Sequence, residues 1–336
     1  MTPPLPIGKV PPELLRSLVY SHLGARRPDV LVHAQFGEDC AAIEFGREVA
    51  VLTTDPITGA GPDLGWYAVH VATNDLAATG AEPVAVLLTL LVAPAHAADD
   101  LGRVMRDASA AAAALGIEIA GGHSEVTAGI DRTLVVITGL GRAPKDRVLR
   151  SGGAHDGDAL LLTKGAGVEG TAILASALER RLRAAVGGEV VARAQAYRNM
   201  ISVLPEARAA GRSGTARAMH DVTEGGVLGA VYEMAAASDL GIHLDAGRIP
   251  VLPETAAICT VLGIDPLGLI GSGALLVAVA DARRGIDAIT GAGVSAAEIG
   301  RFVPRDRVVT RDGRTTPLRP PAADELWKAL QDGREA

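Results

Sequence analysis

Apolar and polar positions along the chain fall into two rhythms. Short apolar or β-branched runs at 30–34, 41–45, 49–54, 84–92, 117–120 and 133–140 read as strands. Longer apolar stretches between them read as helices. The stretch 64–79 follows Asp63, a residue type suited to N-capping, and stops at Gly80; the alanine-rich stretch 97–115 stops at Gly116. A turn-rich patch at 142–158, with Pro144, Gly152, Gly153 and Gly157, interrupts the pattern and is expected to join two domains, 1–150 and 151–336. Beyond it the alternation resumes. Strands are expected at 159–163, 216–219, 242–244 and 274–280, and helices at 171–185, 190–210, 226–237, 255–262 and 324–330. Two successive α/β units with mixed strand order follow.

Composition sharpens this picture. A chain of 336 residues has room for two domains. It is 48 % hydrophobic but only 3 % aromatic, so its core is built from Ala, Val, Leu and Ile. The formal net charge is −7 and no long Lys/Arg block occurs, which argues against nucleic acid as the main partner. The segment nearest to a membrane span, 81–98, is interrupted by Glu82 and His96. The start of the chain has no basic segment followed by an apolar one, so no signal peptide is expected and the cytoplasm is the expected compartment. Two cysteines, Cys40 and Cys259, make neither a disulfide framework nor a zinc spacing.

Acids and glycines gather in four loops of the first unit: Phe36-Gly37-Glu38-Asp39-Cys40, Thr53-Thr54-Asp55-Pro56, Thr73-Asn74-Asp75-Leu76, and Ala120-Gly121-Gly122-His123-Ser124-Glu125. Asp75 is the most telling, because it sits among Ala72, Leu76, Ala77 and Ala78. A buried carboxylate without a partner costs several kcal/mol, and a divalent cation removes that cost. Asp55, directly after an apolar strand, is similar. Mg²⁺ takes a few carboxylates together with phosphate oxygens and water. Any one of these aspartates is more simply a turn former or cap; their joint occurrence in one unit points to a cation.

In the second unit, Lys164-Gly165-Ala166-Gly167-Val168-Glu169-Gly170-Thr171 joins a strand to a helix, where exposed N–H groups favour an anion. The order of Lys and Gly is not that of a Walker loop. The segment Met219-His220-Asp221-Val222-Thr223-Glu224-Gly225-Gly226 reads either as a functional loop or as a helix start capped by Asp221 or Thr223 with Glu224 in the first turn. His70 and Asn74 share a helix face without a third metal ligand, and Ser124 and Ser272 lack a His–Asp partnership.

Taken together, these loops resemble one superfamily, that of aminoimidazole ribonucleotide (AIR) synthase, formylglycinamidine ribonucleotide synthetase, thiamine-monophosphate kinase, selenophosphate synthetase and the hydrogenase-maturation carbamoyl dehydratase of the HypE type. Gly37-Glu38-Asp39-Cys40-Ala41-Ala42 resembles its Gly-Asp-Asp-Ala-Ala motif, and Thr53-Thr54-Asp55 its Thr-Thr-Asp. Asn74 to Pro83 resembles Asn-Asp-Leu-Ala-Met-x-Gly-Ala-x-Pro, the most specific of the set. Gly121-Gly122-His123-Ser124 resembles Gly-Gly-Asp-Thr, and Met219 to Gly226 the Met-x-Asp-Pro-Thr-x-Gly-Gly of the maturation branch. The resemblance implies an α+β (mixed α/β) two-domain fold whose N-terminal sheet forms a barrel across a homodimer. It implies ATP and Mg²⁺ as cofactors and a small-molecule substrate. Asp39, Asp55 and Asp75 become the expected metal ligands, and Asp221 a candidate for substrate or metal contact. Gly37, Thr54, Asn74, Gly121, Gly122, Lys164, Gly165 and Gly167 become the expected nucleotide contacts.

Two departures stand out. His123 takes the place of an aspartate, so we expect Glu125, two residues on along an extended segment, to supply the missing carboxylate while His123 donates to a phosphate. The maturation dehydratase ends in an acceptor cysteine, whereas this chain ends Asp332-Gly333-Arg334-Glu335-Ala336. The leading expectation is an ATP-dependent ligase- or dehydratase-type enzyme that activates a carbonyl or amide oxygen. The alternatives are a small-molecule kinase like thiamine-monophosphate kinase and an ATP-binding regulatory subunit without turnover.

Overall fold

The structure, a computed structural model, describes residues 12–14, 16, 28–33, 35–38, 40–57, 63–94 and 97–332. The chain divides into two compact units, one of residues 27–33 and 39–148, the other of residues 1–26, 34–38 and 149–336. Asp39, one of the expected metal ligands, lies outside the described residues.

A single turn, α1 (Pro12–Leu14), precedes the elements of the 27–148 unit: β1 (Val30–Val32), β2 (Ala41–Phe45), β3 (Glu48–Ile57), α2 (Leu64–Ala78), β4 (Glu82–Val92), α3 (Ala97–Leu115), β5 (Glu118–Val126) and β6 (Leu134–Pro144). The strands form one sheet in the order β1-β2-β3-β6-β4-β5, antiparallel throughout except for the parallel pair β4–β5. A parallel neighbour needs a crossover, and α3 provides it. One sheet face is closed: Val49 and Val51 of β3, Val86, Leu88 and Leu90 of β4, and Val135 and Ile137 of β6 are all buried. Helix α2 packs on β3, β6 and β4 and also touches α3. A Cβ on Gly65 would lie 2.1 Å from the Val104 carbonyl oxygen, so the two helices meet backbone to backbone. Covered on both sides, α2 buries nearly every residue, which explains its lack of a polar face. Asp63 occupies the N-cap position of α2 but makes no capping hydrogen bond with its side chain. Gly80 follows the C-cap with φ +76°, the left-handed stop expected of it.

The structure departs from the expected strand at 117–120. Strand β5 runs on through the Gly121-Gly122 pair to Val126, paired to β4 all the way. The pair, expected in a loop at the strand end, continues the strand, and the second glycine serves close strand approach. Gly122 has φ +142°, and a Cβ there would sit 1.9 Å from the Leu88 carbonyl oxygen.

The second unit carries β7 (Ala159–Thr163), α4 (Val168–Ala177), α5 (Glu179–Val186), α6 (Gly188–Ala196), α7 (Leu204–Ser213), β8 (Ala216–Asp221), α8 (Gly226–Ala237), β9 (Gly241–Asp245), α9 (Pro253–Leu262), β10 (Leu275–Val279), α10 (Ala282–Thr290), β11 (Ala296–Val303), β12 (Arg307–Arg311), β13 (Arg314–Pro317) and α11 (Glu325–Asp332). Its sheet has the order β13-β12-β9-β11-β7-β10-β8, with β12–β9 the parallel pair. The central strands β7 and β10 are buried at every position, as their unbroken apolar runs require. The two long helices expected at 171–185 and 190–210 are four shorter ones. Gly187 (φ +88°) separates α5 from α6, and α7 begins anew with Pro205 in its first turn. The mixed α/β architecture with two sheets is as expected from the sequence.

Candidate active site

In the 27–148 unit, sheet and helix bring two carboxylates to one hydroxyl. Thr53 and Asp55 project from β3 to the face that α2 covers, and Asp75 projects back from α2. The Thr53 hydroxyl lies 2.5 Å from Asp75 Oδ2 and 3.4 Å from Asp55 Oδ2. Asp75 and its neighbours Thr73 and Asn74 are all buried. Two carboxylates converging beside one hydroxyl repel unless a proton or a cation lies between them. Aspartates separated by 20 positions in sequence are thus brought to one hydroxyl.

The register places Glu125 elsewhere. Across the sheet, Asp55 lies in one row with Ile137, Leu88 and Gly122, whose faces alternate with the next residue along each strand. His123 and Glu125 pair with Thr89 and Leu91 and therefore project to the opposite, exposed face. The register shift between Val86 and Leu87 sets this parity. Three strand spacings of about 4.8 Å put roughly 14 Å between β3 and β5 as well. Glu125 thus does not join Asp55 and Asp75 within one chain. It does lie beside His123, with Nε2 to Oε2 at 3.3 Å, and accepts the Thr127 hydroxyl at 2.8 Å. These two contacts, Thr127 first, hold its carboxyl below the usual carboxylate range. Thr54 also faces the exposed side, where its hydroxyl meets the Ile137 carbonyl and the Thr138 hydroxyl. Gly121 keeps room on that face, since a Cβ would approach only Leu87, at 3.6 Å.

Among the described residues, no group of three or more His, Cys, Asp or Glu side chains is arranged to hold a metal ion. The Asp55–Asp75 pair suits Mg²⁺ all the same, because that ion takes one or two carboxylates and fills its remaining positions with phosphate oxygens and water.

In the second unit, the glycine loop 164–171 is built around internal bonds. Lys164, at φ +54°, donates to the Ser202 carbonyl (2.8 Å), the Glu206 carboxylate (2.6 Å) and the Gly273 carbonyl (2.6 Å). All three of its N–H donors are committed, so the side chain pins the loop and does not reach outward to a phosphate. Burial lowers its pKa, and Glu206 opposes the shift. Gly165 has no room for a Cβ, which would lie 2.8 Å from the Pro250 carbonyl oxygen. Gly167 is the left-handed N-cap of α4. Gly37 is likewise held by packing: a Cβ would lie 2.9 Å from both the Glu233 carbonyl oxygen and the Ala237 Cβ. Its neighbour Glu38 accepts the Gly152 N–H at 3.3 Å and has its pKa raised by burial.

The sequence reading missed Glu169. It sits in the first turn of α4, and burial pushes its carboxyl up to about 7. Ser272 opposes the shift through its hydroxyl and its backbone N–H, while the charges of Asp324 and Asp221 add to it. Glu169 Oε2 accepts no hydrogen bond among the described residues. Asp221 is buried at the end of β8, opposite Leu275. It does not cap α8, nor does Thr223: the N-cap is Gly225, at φ +87° with no side-chain bond. A carboxyl in an otherwise apolar helix is the sign by which Asp75 was found, and the same sign applies to Glu169 in α4.

Two α/β units, one bringing Asp55 and Asp75 together between β3 and α2 and the other burying Glu169 and Asp221, define a two-domain α/β protein with acidic groups in both halves. Residues 37–143 match the model of the AIR synthase related protein N-terminal domain, and residues 155–313 that of the C-terminal domain. The chain belongs to the AIR synthase related family. Carbamoyl dehydratase HypE of Rhizobium leguminosarum bv. viciae is 30 % identical over 80 % of this chain and 78 % of its own. Carbamoyl dehydratase HypE of Cupriavidus necator is 30 % identical over 79 % and 74 %. The crystal structure of E. coli HypE superposes with a TM-score of 0.72 at 26 % identity, covering 83 % of this chain and 88 % of that one.

Proposed function

We propose that this chain is an ATP-dependent dehydratase that activates the amide or carbonyl oxygen of a small, carbamoyl-type substrate. The observation that carries the reading is the buried Glu169 carboxyl, held near neutrality beside Ser272 in a chain whose 30 % identical relatives are carbamoyl dehydratases. Dehydration of a primary amide removes its oxygen and the protons of its nitrogen. Once the oxygen is activated by phosphorylation, a base titrating near neutral pH is suited to take a nitrogen proton. Glu169 fills that role, with Ser272 orienting it and Asp221 lining the same site. Asp55 and Asp75 hold Mg²⁺, with Asp39 as a further ligand, and the ion neutralises polyphosphate charge when bound. Asn74, next to Asp75, is a further nucleotide contact we assign. Cys40 and Cys259 are buried and not joined by a disulfide, which accords with a cytoplasmic setting. Burial, then Asp265 and Glu325, raises the Cys259 thiol to about 12, which unfits it as a nucleophile. Among the described residues no helix is long and apolar enough to cross a membrane.

The test is incubation with ATP, Mg²⁺ and a panel of carbamoyl and amide compounds, followed by mass spectrometry. The expected result is ADP, phosphate and a product lighter by one water. A phosphorylated product would instead support the kinase reading, and ATP binding without any turnover a regulatory subunit.

We also infer a homodimer closed through the exposed face of the first sheet. Leu87 and Leu140 are 48 % and 38 % exposed on that face, and β5 forms a long, exposed edge. Light scattering at micromolar concentration is expected to give a dimer for the wild type and a monomer for the Leu87→Asp/Leu140→Asp double variant. A monomeric wild type would overturn the inference.

A further inference from the structure

We propose that Asp324 is a positioning residue that holds the two loops 223–226 and 269–273 in place around Glu169, and so ties the C-terminal helix α11 to the reaction site. The inference rests on the reading of Glu169 given above. Asp324 immediately precedes α11 and is 2 % exposed. Its Oδ1 accepts the Leu326 N–H at 2.8 Å, which is ordinary helix capping. Capping needs only that bond, yet Asp324 makes two more to distant segments. Oδ1 also accepts the Ile270 N–H at 3.1 Å, and Oδ2 accepts the Gly225 N–H at 2.7 Å. One buried carboxylate thus joins three pieces of chain.

Both loops lead to the site. Gly225 and Gly226 are consecutive left-handed residues, at φ +87° and +60°, four and five positions after Asp221. A Cβ on Gly226 would lie 2.7 Å from the Leu269 carbonyl oxygen, so this loop is pressed onto the other. The Gly271 N–H also bonds the Thr223 carbonyl at 3.3 Å. Ile270 is the link to the acid: its N–H goes to Asp324, and its carbonyl accepts the N–H of Gly170, the residue after Glu169, at 3.0 Å. Two residues on, Ser272 bonds Glu169 itself. A second tie comes from Trp327 of α11, whose Nε1 donates to Glu224 Oε1 at 2.9 Å. The charged groups that face this knot are Glu169, Asp221 and Glu224.

Asp324→Ser separates the two roles, because serine caps a helix well but is too short to reach both loops. Trp327→Phe removes the other tie and leaves the carboxylate. The measurements are amide hydrogen exchange over 222–227 and 268–273 in the full chain, and the pH midpoint of Glu169 from its carboxyl carbon NMR shift, assigned by its loss in Glu169→Gln. Asp324→Ser is expected to speed exchange about tenfold in both loops together, the factor that follows from losing one hydrogen bond to a charged group. It is also expected to lower the Glu169 midpoint, since a neighbouring negative charge is removed. Trp327→Phe is expected to leave that midpoint in place. Faster exchange confined to α11, or an unmoved midpoint in Asp324→Ser, would overturn the proposal. Asp324→Asn, which keeps the volume and one acceptor oxygen, serves if the serine variant does not fold. Full turnover in Glu169→Gln would sink the functional reading alone, because exchange and midpoint are read without substrate.

Discussion

Replacing Asp75 by Asn is expected to lower Mg²⁺-dependent ATP turnover by about a hundredfold or more while the protein stays folded. The substitution keeps volume and shape, and its side-chain oxygen still accepts from the Thr53 hydroxyl, now 2.5 Å from Asp75 Oδ2. What disappears is one of the two negative charges that meet at Thr53. The carboxylate is 4 % exposed, so water does not replace it as a ligand. Losing one of the few carboxylates that hold the ion removes several kcal/mol of cation binding, which corresponds to the stated factor. Calorimetry with ATP, with and without Mg²⁺, reads the effect without any knowledge of the substrate. A variant with the wild-type Mg²⁺ dependence would show that Asp75 is a structural acid that accepts from Thr53.

Glu169→Gln is expected to reduce turnover by a factor on the order of 100 to 10,000, the range for loss of a general base. Its effect on stability should run the opposite way. Burial raises the folded-state pKa of Glu169 from 4.5 to about 7, so between those values the folded chain binds more protons than the unfolded one. Stability contributed by the protonated carboxyl is full below pH 4.5 and declines as pH rises through 7. Above that range the folded protein holds a buried carboxylate at a cost of up to roughly 3 kcal/mol. Glutamine, neutral at every pH, avoids this cost. Thermal unfolding at pH 8 should therefore show Glu169→Gln to be more stable than the wild type, and the difference should vanish near pH 4. A variant that loses stability at pH 8 would mean that Glu169 is ionised and well paired in the folded protein. Wild-type turnover should rise with pH through a midpoint near 7, the acid limb of a base that must be ionised.

Much of this protein was legible in its sequence. Apolar runs marked β3, β4, β6, β7 and β10, since buried strand positions need little beyond apolar side chains. Gly80 and Gly116 marked the ends of α2 and α3, because only glycine takes the left-handed conformation there at no cost. Asp75 was legible as a carboxylate in an apolar helix, an arrangement too costly to occur without purpose. Such features are local: a few neighbouring residues determine them whatever the rest of the chain does.

The remainder was decided by tertiary structure. Gly121-Gly122 reads as part of a loop, yet the pair lies inside β5, and closeness to Leu88 on another strand demands glycine at 122. Glu125 and His123 were rightly placed on one side of a strand, but which side depends on a one-residue register shift against β4 that no local pattern records. Lys164 looks like a phosphate ligand until Ser202, Glu206 and Gly273, each 38 or more positions away, take its donors. Asp324 reads only as the first residue of an expected helix, and its bonds to Gly225 and Ile270 span 99 and 54 positions. Hydrogen bonds and charge–charge contacts act over a few ångströms of space. Sequence alone therefore determines which groups must find partners here, and only the folded chain decides which partners they meet.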